Sequence, residues 1–247
     1  SCNVKAKDGM DIVTNNDEIA QERRAIMEVY DVNHPLQCGV CDKSGECELQ
    51  NYSLYEGIDS QSYSIRDTLR ASKDWSSVLH YDPGLCIVCE RCTTVCKDMI
   101  GEAAIKTVKR GGDTLPKELK DEMPKDAYAM WNKMQKSLIA PANGEYTDCA
   151  DCGECISVCP TGAIVSRDFQ YKSNAWELTK VPATCAHCSV GCQLNYEIKH
   201  ESISNPQPRI YRVTNEFHYV SLCAAGRFGY DFENDASKDE AAFENAV

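Results

Sequence analysis

The sequence lacks the long apolar runs and the clusters of basic residues that are typical of membrane spans and nucleic-acid interfaces. No window holds the roughly 18 apolar residues of a membrane-spanning helix, and the opening SCNVKAKDGM has neither an apolar segment nor a basic leader. Acidic residues outnumber basic ones by 38 to 26, which gives a formal net charge of −12. We therefore expect no direct membrane span, no secretion and no nucleic-acid partner.

Sequence patterns of substrate chemistry are also missing. The chain has no Gly-x-Gly-x-x-Gly turn, no Walker loop and no Ser/His/Asp arrangement. We therefore predict no catalytic residue, and no site for a nucleotide or another organic substrate, in this stretch. Hydride chemistry would belong to partner proteins.

Cysteine, in contrast, is abundant, with 16 among 247 residues. Disulfide frameworks belong to short secreted chains, whereas most of these cysteines fall in Cys-x-x-Cys steps, which gather thiolates around a metal. Zinc also takes such steps, usually as two separated pairs that close one tetrahedron. Three close cysteines with a distant fourth fit a 4Fe-4S cluster better. The mean hydropathy of −0.45 is low, so we expect metal binding to supply part of the stability of the fold.

Two runs of cysteines match the bacterial ferredoxin pattern Cys-x2-Cys-x2-Cys-x3-Cys. In that pattern the first three thiolates hold one 4Fe-4S cluster and the fourth holds the other. The rule predicts one ligand set of Cys86, Cys89, Cys92 and Cys159, and a second set of Cys149, Cys152, Cys155 and Cys96. Pro160 keeps the usual residue after the second run, while Lys97 replaces it after the first. Two zinc knuckles with the same spacing are the alternative.

A third group of ligands contains a histidine. The set is His34, Cys38, Cys41 and Cys47. A helix capped by Asn15, Asn16 and Asp17, with an apolar face that includes Ile26, is expected to end just before His34. We predict a 4Fe-4S cluster at this set, with zinc held by three Cys and one His as the alternative.

A fourth group lies near the end of the sequence. The set is Cys185, Cys188, Cys192 and Cys223. Between the third and fourth cysteines, QLNYEIKHESI and RIYRVTNE alternate as strands do, and residues 205–208 predict the turn between them. The resulting β-ribbon would bring Cys223 back to its partners. Zinc would fit this spacing nearly as well if the group stood alone.

The order of these groups resembles the N-terminal cluster-binding region of the large iron-sulfur subunit, or G subunit, of bacterial respiratory complex I (NADH-quinone oxidoreductase). It is also similar to the N-terminal region of the alpha subunit of NAD-dependent molybdenum or tungsten formate dehydrogenases. The likeness runs from Ser1 to Asn234 and is carried by HPLQCGVCDKSGECELQ, YDPGLCIVCERCTTVC, CADCGECISVCPTGAI, TCAHCSVGC and LCAAGRFGYDF.

The resemblance implies an α+β fold made of a string of small iron-sulfur modules. Residues 1–16 would be the end of a missing plant-type 2Fe-2S domain, in which Cys2 matches the last ligand; a free thiol is the alternative for Cys2. The modules that follow would be a domain with one His and three Cys ligands (17–75), a two-cluster ferredoxin-like domain (76–175) with an insertion (109–145), a small β-rich 4Fe-4S domain that opens a molybdopterin-oxidoreductase-like fold (176–234), and an acidic linker (235–247). Within the insertion, two short helices broken at Pro124 are predicted, the second with an apolar stripe of Tyr128, Trp131, Met134 and Leu138.

The function implied by the resemblance is an electron relay in a complex I-like NADH (or other low-potential donor):quinone oxidoreductase. The cofactors would be four 4Fe-4S clusters and one 2Fe-2S cluster shared with the missing domain. The partners would be other subunits of a respiratory complex and an electron-donor flavoprotein or low-potential carrier. The location would be cytoplasmic, on the inner face of the membrane through those partners.

Alternatives to the relay are a formate dehydrogenase, a zinc scaffold and, third in rank as a likeness, an iron hydrogenase. Molybdenum enzymes of the family usually have Cys-x-Lys-Gly after the last cluster ligand, whereas this chain has Cys223-Ala224-Ala225-Gly226. Ala225 offers no charge to a pterin, so no molybdopterin is expected. The C-x2-C-x3-C…C group followed by GRFGYDF is not the iron hydrogenase pattern.

Overall fold

The structure is a computed structural model with mixed helix and sheet. It describes residues 4–32, 34–35, 37–60, 71–109, 117–133, 136–202, 205–216 and 221–234. Cys2 and the acidic linker 235–247 lie outside these ranges. Across the described ranges, no helix has both the length and the apolar character needed to cross a bilayer.

The N-terminal unit consists of two helices joined by a cysteine-bearing loop. Its elements are α1 (Asp17–Asp31), a 3-10 turn (Cys38–Val40) and α2 (Glu48–Tyr55). The predicted helix start is confirmed, because the Asn16 side chain caps α1 by accepting from the Ile19 amide at 2.8 Å. Ser53 of α2 donates to the Asp31 carboxylate at 2.8 Å, which fixes the end of α1 against α2.

The apolar face predicted for α1 is present but exposed. Ile26, Val29 and Tyr30 are 56%, 65% and 43% exposed, and no residue of α1 is buried. Amphipathic spacing therefore correctly predicted the helix, but about half or more of each of Ile26 and Val29 stays exposed in the described chain.

The central unit has two small antiparallel sheets. One sheet has the order β1 (Lys73–Asp74), β2 (Leu79–Tyr81) and β5 (Ile164–Ser166), and the other pairs β3 (Ile105–Lys109) with β4 (Lys136–Pro141). Outside the insertion, the helices of this unit are α3 (Arg91–Thr94), continued by a π-helical turn (Val95–Ile100), and α6 (Glu154–Val158).

The core of the central unit contains cysteine sulfurs as well as hydrocarbon. Trp75 is 1% exposed and stacks on Tyr81 with ring centroids 4.1 Å apart. Cys92 and Cys159 are buried in the same cluster as Ile105. Each of the two ferredoxin-like runs thus places a buried cysteine in one core.

The insertion differs in part from its prediction. The two helices are α4 (Lys117–Glu122) and α5 (Lys125–Lys133), so the break at Pro124 is confirmed. Leu138, however, lies in β4 and pairs with Val108 of β3, so its assignment to the helical stripe was wrong. Met134 lies outside the described residues. A stripe of apolar residues cannot by itself distinguish the end of a helix from the start of a strand.

The C-terminal unit is a three-stranded sheet followed by short helices. Its elements are a 3-10 turn (Ala175–Glu177), β6 (Thr179–Thr184), β7 (Gln193–Ser202), β8 (Asn205–Thr214), α7 (Ala224–Phe228) and α8 (Asp231–Asn234). The predicted ribbon is confirmed, but the turn was misplaced: residues 205–208 belong to β8, where Pro208 pairs with His200. β8 is an edge strand, where a residue without a backbone N–H is tolerated.

Candidate iron-sulfur centres

Two cavities in the central unit are each lined by four cysteines drawn from both runs. The first is lined by Cys86, Cys89, Cys92 and Cys159. The second is lined by Cys96, Cys149, Cys152 and Cys155. The structure therefore brings together the same thiols that the crossed ferredoxin rule grouped, including the exchanged fourth cysteine of each run.

The loops that carry these cysteines share an unusual backbone. Val88 and Glu90 in the first run have φ of 54° and 62°, and Asp151 and Gly153 at the matching positions of the second run have φ of 49° and 71°. A positive φ is a clear outlier for a β-branched residue such as Val88. In this conformation a backbone amide points at a cysteine sulfur: the Val88 amide donates a hydrogen bond to the Cys86 sulfur at 3.4 Å.

The fourth cysteine of each run is fixed by its own contacts. Cys96 lies in the π-helical turn and accepts from the Ala104 amide at 3.3 Å. Cys159 is followed by Thr161, whose buried hydroxyl donates to the Leu85 carbonyl at 2.8 Å across the core. A π-helical turn is rare and is often found at functional sites.

Burial and mutual repulsion act on these thiols in the same direction. Burial raises the pKa of Cys92 well above its usual value, and the Cys159, Cys86 and Cys89 thiols raise it further. Burial likewise raises the pKa of Cys155, with Cys92 of the neighbouring cavity among the contributors. A metal would have to displace these protons, because thiolate is the ligand.

The three N-terminal cysteines also act on one another. Burial raises the pKa of Cys41, and the neighbouring Cys47 and Cys38 raise this pKa further. Cys47 caps α2 by accepting from the Gln50 amide at 3.5 Å. A β-carbon added at Gly162 would lie 2.5 Å from the Cys41 sulfur. The ferredoxin-like unit therefore closes directly over this group.

His34 lies three residues after the end of α1, as predicted. Its ring atom Nδ1 is buried and has no hydrogen-bond partner among the described residues. Burial lowers the pKa of His34, and this effect outweighs the carboxylates of Asp31 and Asp82, which raise the pKa. A neutral imidazole with an unpaired, buried ring nitrogen has the chemistry of a metal ligand.

The fourth group is brought together in part. The Cys185 amide donates to the Cys192 carbonyl at 2.8 Å, which closes the first three cysteines into a loop. A β-carbon at Gly226 would lie 3.4 Å from the Cys185 sulfur and 3.9 Å from that of Cys223, so these two sulfurs flank the same glycine. Cys188 is exposed.

A single metal ion has no ready site in the parts of the chain that are described. No three His, Cys, Asp or Glu side chains stand close enough there to hold one ion. The donor sets nevertheless fit iron-sulfur clusters in kind, since cysteine thiols line both central cavities and a backbone amide donates to a cavity sulfur in each.

Charged residues join the three units and were missed by the sequence analysis. Arg212 of β8 holds the Glu46 carboxylate with two bonds of 2.8 and 2.9 Å and reaches Glu197 at 2.6 Å. Arg227 of α7 reaches Glu154 of α6 at 2.7 Å. The partners lie far apart in the sequence, so no local pattern pointed to these pairs.

Family comparisons match three parts of the chain. Residues 23–62 match the NADH-ubiquinone oxidoreductase-G iron-sulfur binding region, residues 145–165 match the 4Fe-4S binding domain, and residues 178–235 match the molybdopterin oxidoreductase Fe4S4 domain. The chain thus carries iron-sulfur binding domains of these kinds.

Relatives match the chain over most of its length. The NADPH-Fe(3+) oxidoreductase subunit alpha of Geobacter sulfurreducens is 32% identical over 96% of this chain and 25% of its own length. A G subunit of the NADH-quinone oxidoreductase of Rhizobium meliloti is 31% identical over 94% of this chain and 24% of its own length. The predicted resemblance to the large iron-sulfur subunit of complex I is confirmed, and the chain spans about a quarter of these relatives.

A solved structure shares the fold. The crystal structure of an NAD+-reducing NiFe-hydrogenase in the H2-reduced state has a TM-score of 0.55 and 20% identity, over 70% of this chain and 65% of that chain.

Proposed function

We propose that this chain is the cluster-binding region of an electron-relay subunit in a complex I-like NADH (or other low-potential donor):quinone oxidoreductase. The relatives that match most of the chain include a G subunit of NADH-quinone oxidoreductase and an NADPH-Fe(3+) oxidoreductase subunit. Both names describe subunits of oxidoreductases.

The observation that carries the proposal is the pair of cavities in the central unit. Each cavity is lined by three cysteines of one run and the last cysteine of the other. Cys155 of the second cavity packs against the buried cluster that contains Cys92 of the first. Two redox centres at such proximity suit electron transfer from one to the next.

The proposed ligands are those that the spacing predicted. They are Cys86, Cys89, Cys92 and Cys159; Cys149, Cys152, Cys155 and Cys96; His34, Cys38, Cys41 and Cys47; and Cys185, Cys188, Cys192 and Cys223. Each set would hold one 4Fe-4S cluster, and Cys2 would be a ligand of a 2Fe-2S cluster shared with a preceding domain. When bound, such a cluster accepts and gives up one electron with little rearrangement.

The protein's own groups would set how easily each centre is reduced. Amide hydrogen bonds to sulfur, such as those from Val88 and Ala104, stabilise added negative charge. Burial in the core keeps water from the sulfurs of Cys92 and Cys159. No molybdopterin takes part in the proposed function, because Ala225 stands where the molybdenum enzymes have lysine.

The module boundaries 17–75, 76–175 and 176–234 remain our proposal, as do the partners and the location. The partners would be the other subunits of a respiratory complex and a flavoprotein or low-potential carrier as electron donor. The site of action would be the inner face of the cytoplasmic membrane, reached through those subunits.

The test is metal and acid-labile sulfide analysis of the anaerobically purified parent complex, followed by low-temperature EPR after dithionite reduction. We expect about sixteen iron atoms for the four sites, equal sulfide, and several overlapping fast-relaxing signals. Stoichiometric molybdenum or tungsten would favour a formate dehydrogenase instead. Zinc without iron would overturn the electron-transfer proposal.

A further inference from the structure

A buried ion pair links the helix that follows Cys223 to the helix that carries Cys155. Arg227 Nη2 lies 2.7 Å from Glu154 Oε1, and the two side chains are only 4% and 1% exposed. Arg227 Nε also donates to the backbone carbonyl of Cys152 at 2.7 Å. One arginine thus contacts the cysteine loop of the second central cavity from the C-terminal unit.

Glu154 forms part of the wall of that cavity, beside Cys96, Cys149, Cys152 and Cys155. Its Oε1 also accepts from the Leu222 amide at 2.9 Å. Its Oε2 is buried and has no hydrogen-bond partner within the described ranges. The Glu154 carboxylate therefore stands in the wall of the cavity, and Arg227 is the cation paired with it.

Arg227 lies in direct contact with the cysteine loop. A β-carbon at Gly153 would lie 2.3 Å from Arg227 Cδ and 2.7 Å from its Nε. The loop backbone can therefore approach the Arg227 side chain this closely only because residue 153 is glycine.

Among the described residues, the first central cavity has no buried ion pair at the matching position. At the position that matches Glu154, two residues after the second cysteine, the first run has Arg91. Arg91 pairs with Glu48 at 2.7 Å, but the two side chains are 48% and 50% exposed. Solvent screens such a pair, whereas the buried pair acts through a medium of lower dielectric.

We propose that Arg227 is a positioning residue that sets the reduction potential of the centre at Cys96, Cys149, Cys152 and Cys155 by balancing the charge of Glu154. This inference rests on the proposed ligand set. Since Arg227 belongs to the helix that begins after Cys223, the same contact couples that potential to the docking of the C-terminal unit. Reduction adds negative charge, so the centre is harder to reduce beside an unbalanced carboxylate and easier beside an unbalanced guanidinium.

The test is a double-mutant cycle in the full-length protein, read by EPR-monitored redox titration. Arg227→Met keeps the aliphatic stem against Gly153 and removes the charge; it should lower the equilibrium constant for reduction at least tenfold, which is about 59 mV for one electron. Glu154→Gln should raise it by a similar factor. The double variant should return to within about threefold of wild type, since the two charges are removed together.

Controls separate charge from damage to the structure. The signal of this centre is the one lost in Cys149→Ala, and Arg209→Met removes an exposed pair with Glu201, at 3.1 Å, and should shift nothing. Arg227→Lys keeps the charge and should stay near the wild-type potential. A purely structural role predicts iron loss, or shifts of the same sign, in both single variants.

The outcomes are distinct. If wild-type protein shows no iron-sulfur signals, the proposed function itself fails. If the signals are present but the two single variants leave the potential unchanged, or move it in the same direction, the inference about Arg227 is overturned. If Arg227→Met does not accumulate with full iron, Glu154→Gln decides alone: an upward shift is required, and its absence contradicts the inference.

Discussion

Replacing Gly153 by alanine tests the contact between the cysteine loop and Arg227. Gly153 has φ of +71°, which costs an L-residue about 1–2 kcal/mol. The new β-carbon would also stand 2.3 Å from Arg227 Cδ and 3.0 Å from Phe228 Cζ, so the arginine must move and its pair with Glu154 must break. Breaking a buried ion pair costs about 3–5 kcal/mol. We therefore expect a loss of at least about 4 kcal/mol in stability.

Gly144 supplies a matched control. Its φ is +72°, nearly the same as that of Gly153, but a β-carbon there would meet nothing within 4 Å. Gly144→Ala should therefore cost only the backbone term of about 1–2 kcal/mol. The difference between the two variants separates the contacts with Arg227 and Phe228 from the cost of the backbone conformation.

The assay is anaerobic thermal unfolding of the cluster-loaded protein, followed by far-UV circular dichroism and by loss of visible absorbance. For a chain of this size, each kcal/mol shifts the midpoint by about 2–4 °C, so we expect roughly 8–16 °C for Gly153→Ala and about 2–8 °C for Gly144→Ala. Equal shifts for the two variants would refute the reasoning, because only the backbone term would then be present.

Three further predictions concern the other centres. In Gly162→Ala the new β-carbon would lie 2.5 Å from the Cys41 sulfur, so the sulfur should move and the protein should lose roughly four of its about sixteen iron atoms. The control is Gly39→Ala, whose β-carbon meets nothing within 4 Å and which should keep all its iron. Equal iron content in the two variants would contradict this prediction. Tyr81→Phe removes a buried hydroxyl that has no hydrogen-bond partner among the described residues, so it should leave the iron content and the midpoint of thermal unfolding unchanged; a clear loss of either would count against it. Removing the iron should leave the chain largely unfolded, because its thiolates must come together before it compacts; a cooperative thermal transition in the circular dichroism of iron-free protein would disprove this.

The grouping of thiols could be predicted from spacing, because the ferredoxin pattern encodes its own exchange of ligands. Cys96 and Cys159 line the cavities of the opposite runs, as the pattern required. The loop conformation could not be predicted in the same way: nothing local favours a positive φ at Val88, and only the surrounding packing imposes it.

Errors in the predicted elements have physical reasons as well. Proline predicted a turn at residues 205–208, but an edge strand tolerates proline, and β8 is at an edge. Leu138 fitted a helical stripe until its pairing with Val108 placed it in a strand. The pair of Arg227 and Glu154 joins distant parts of the chain, and single-sequence patterns report only neighbours.

The exchange of cysteines between the two runs has a consequence for the order of events during synthesis. Cys86, Cys89 and Cys92 leave the ribosome together, but Cys159, which lines the same cavity, follows roughly 70 residues later, a delay of about 4–14 s at ~5–20 residues per second. During that interval three thiols are exposed to oxidants and to competing metals without their fourth. Iron delivered after translation reaches a chain whose two runs have already met, so no incomplete set of three thiols has to hold it.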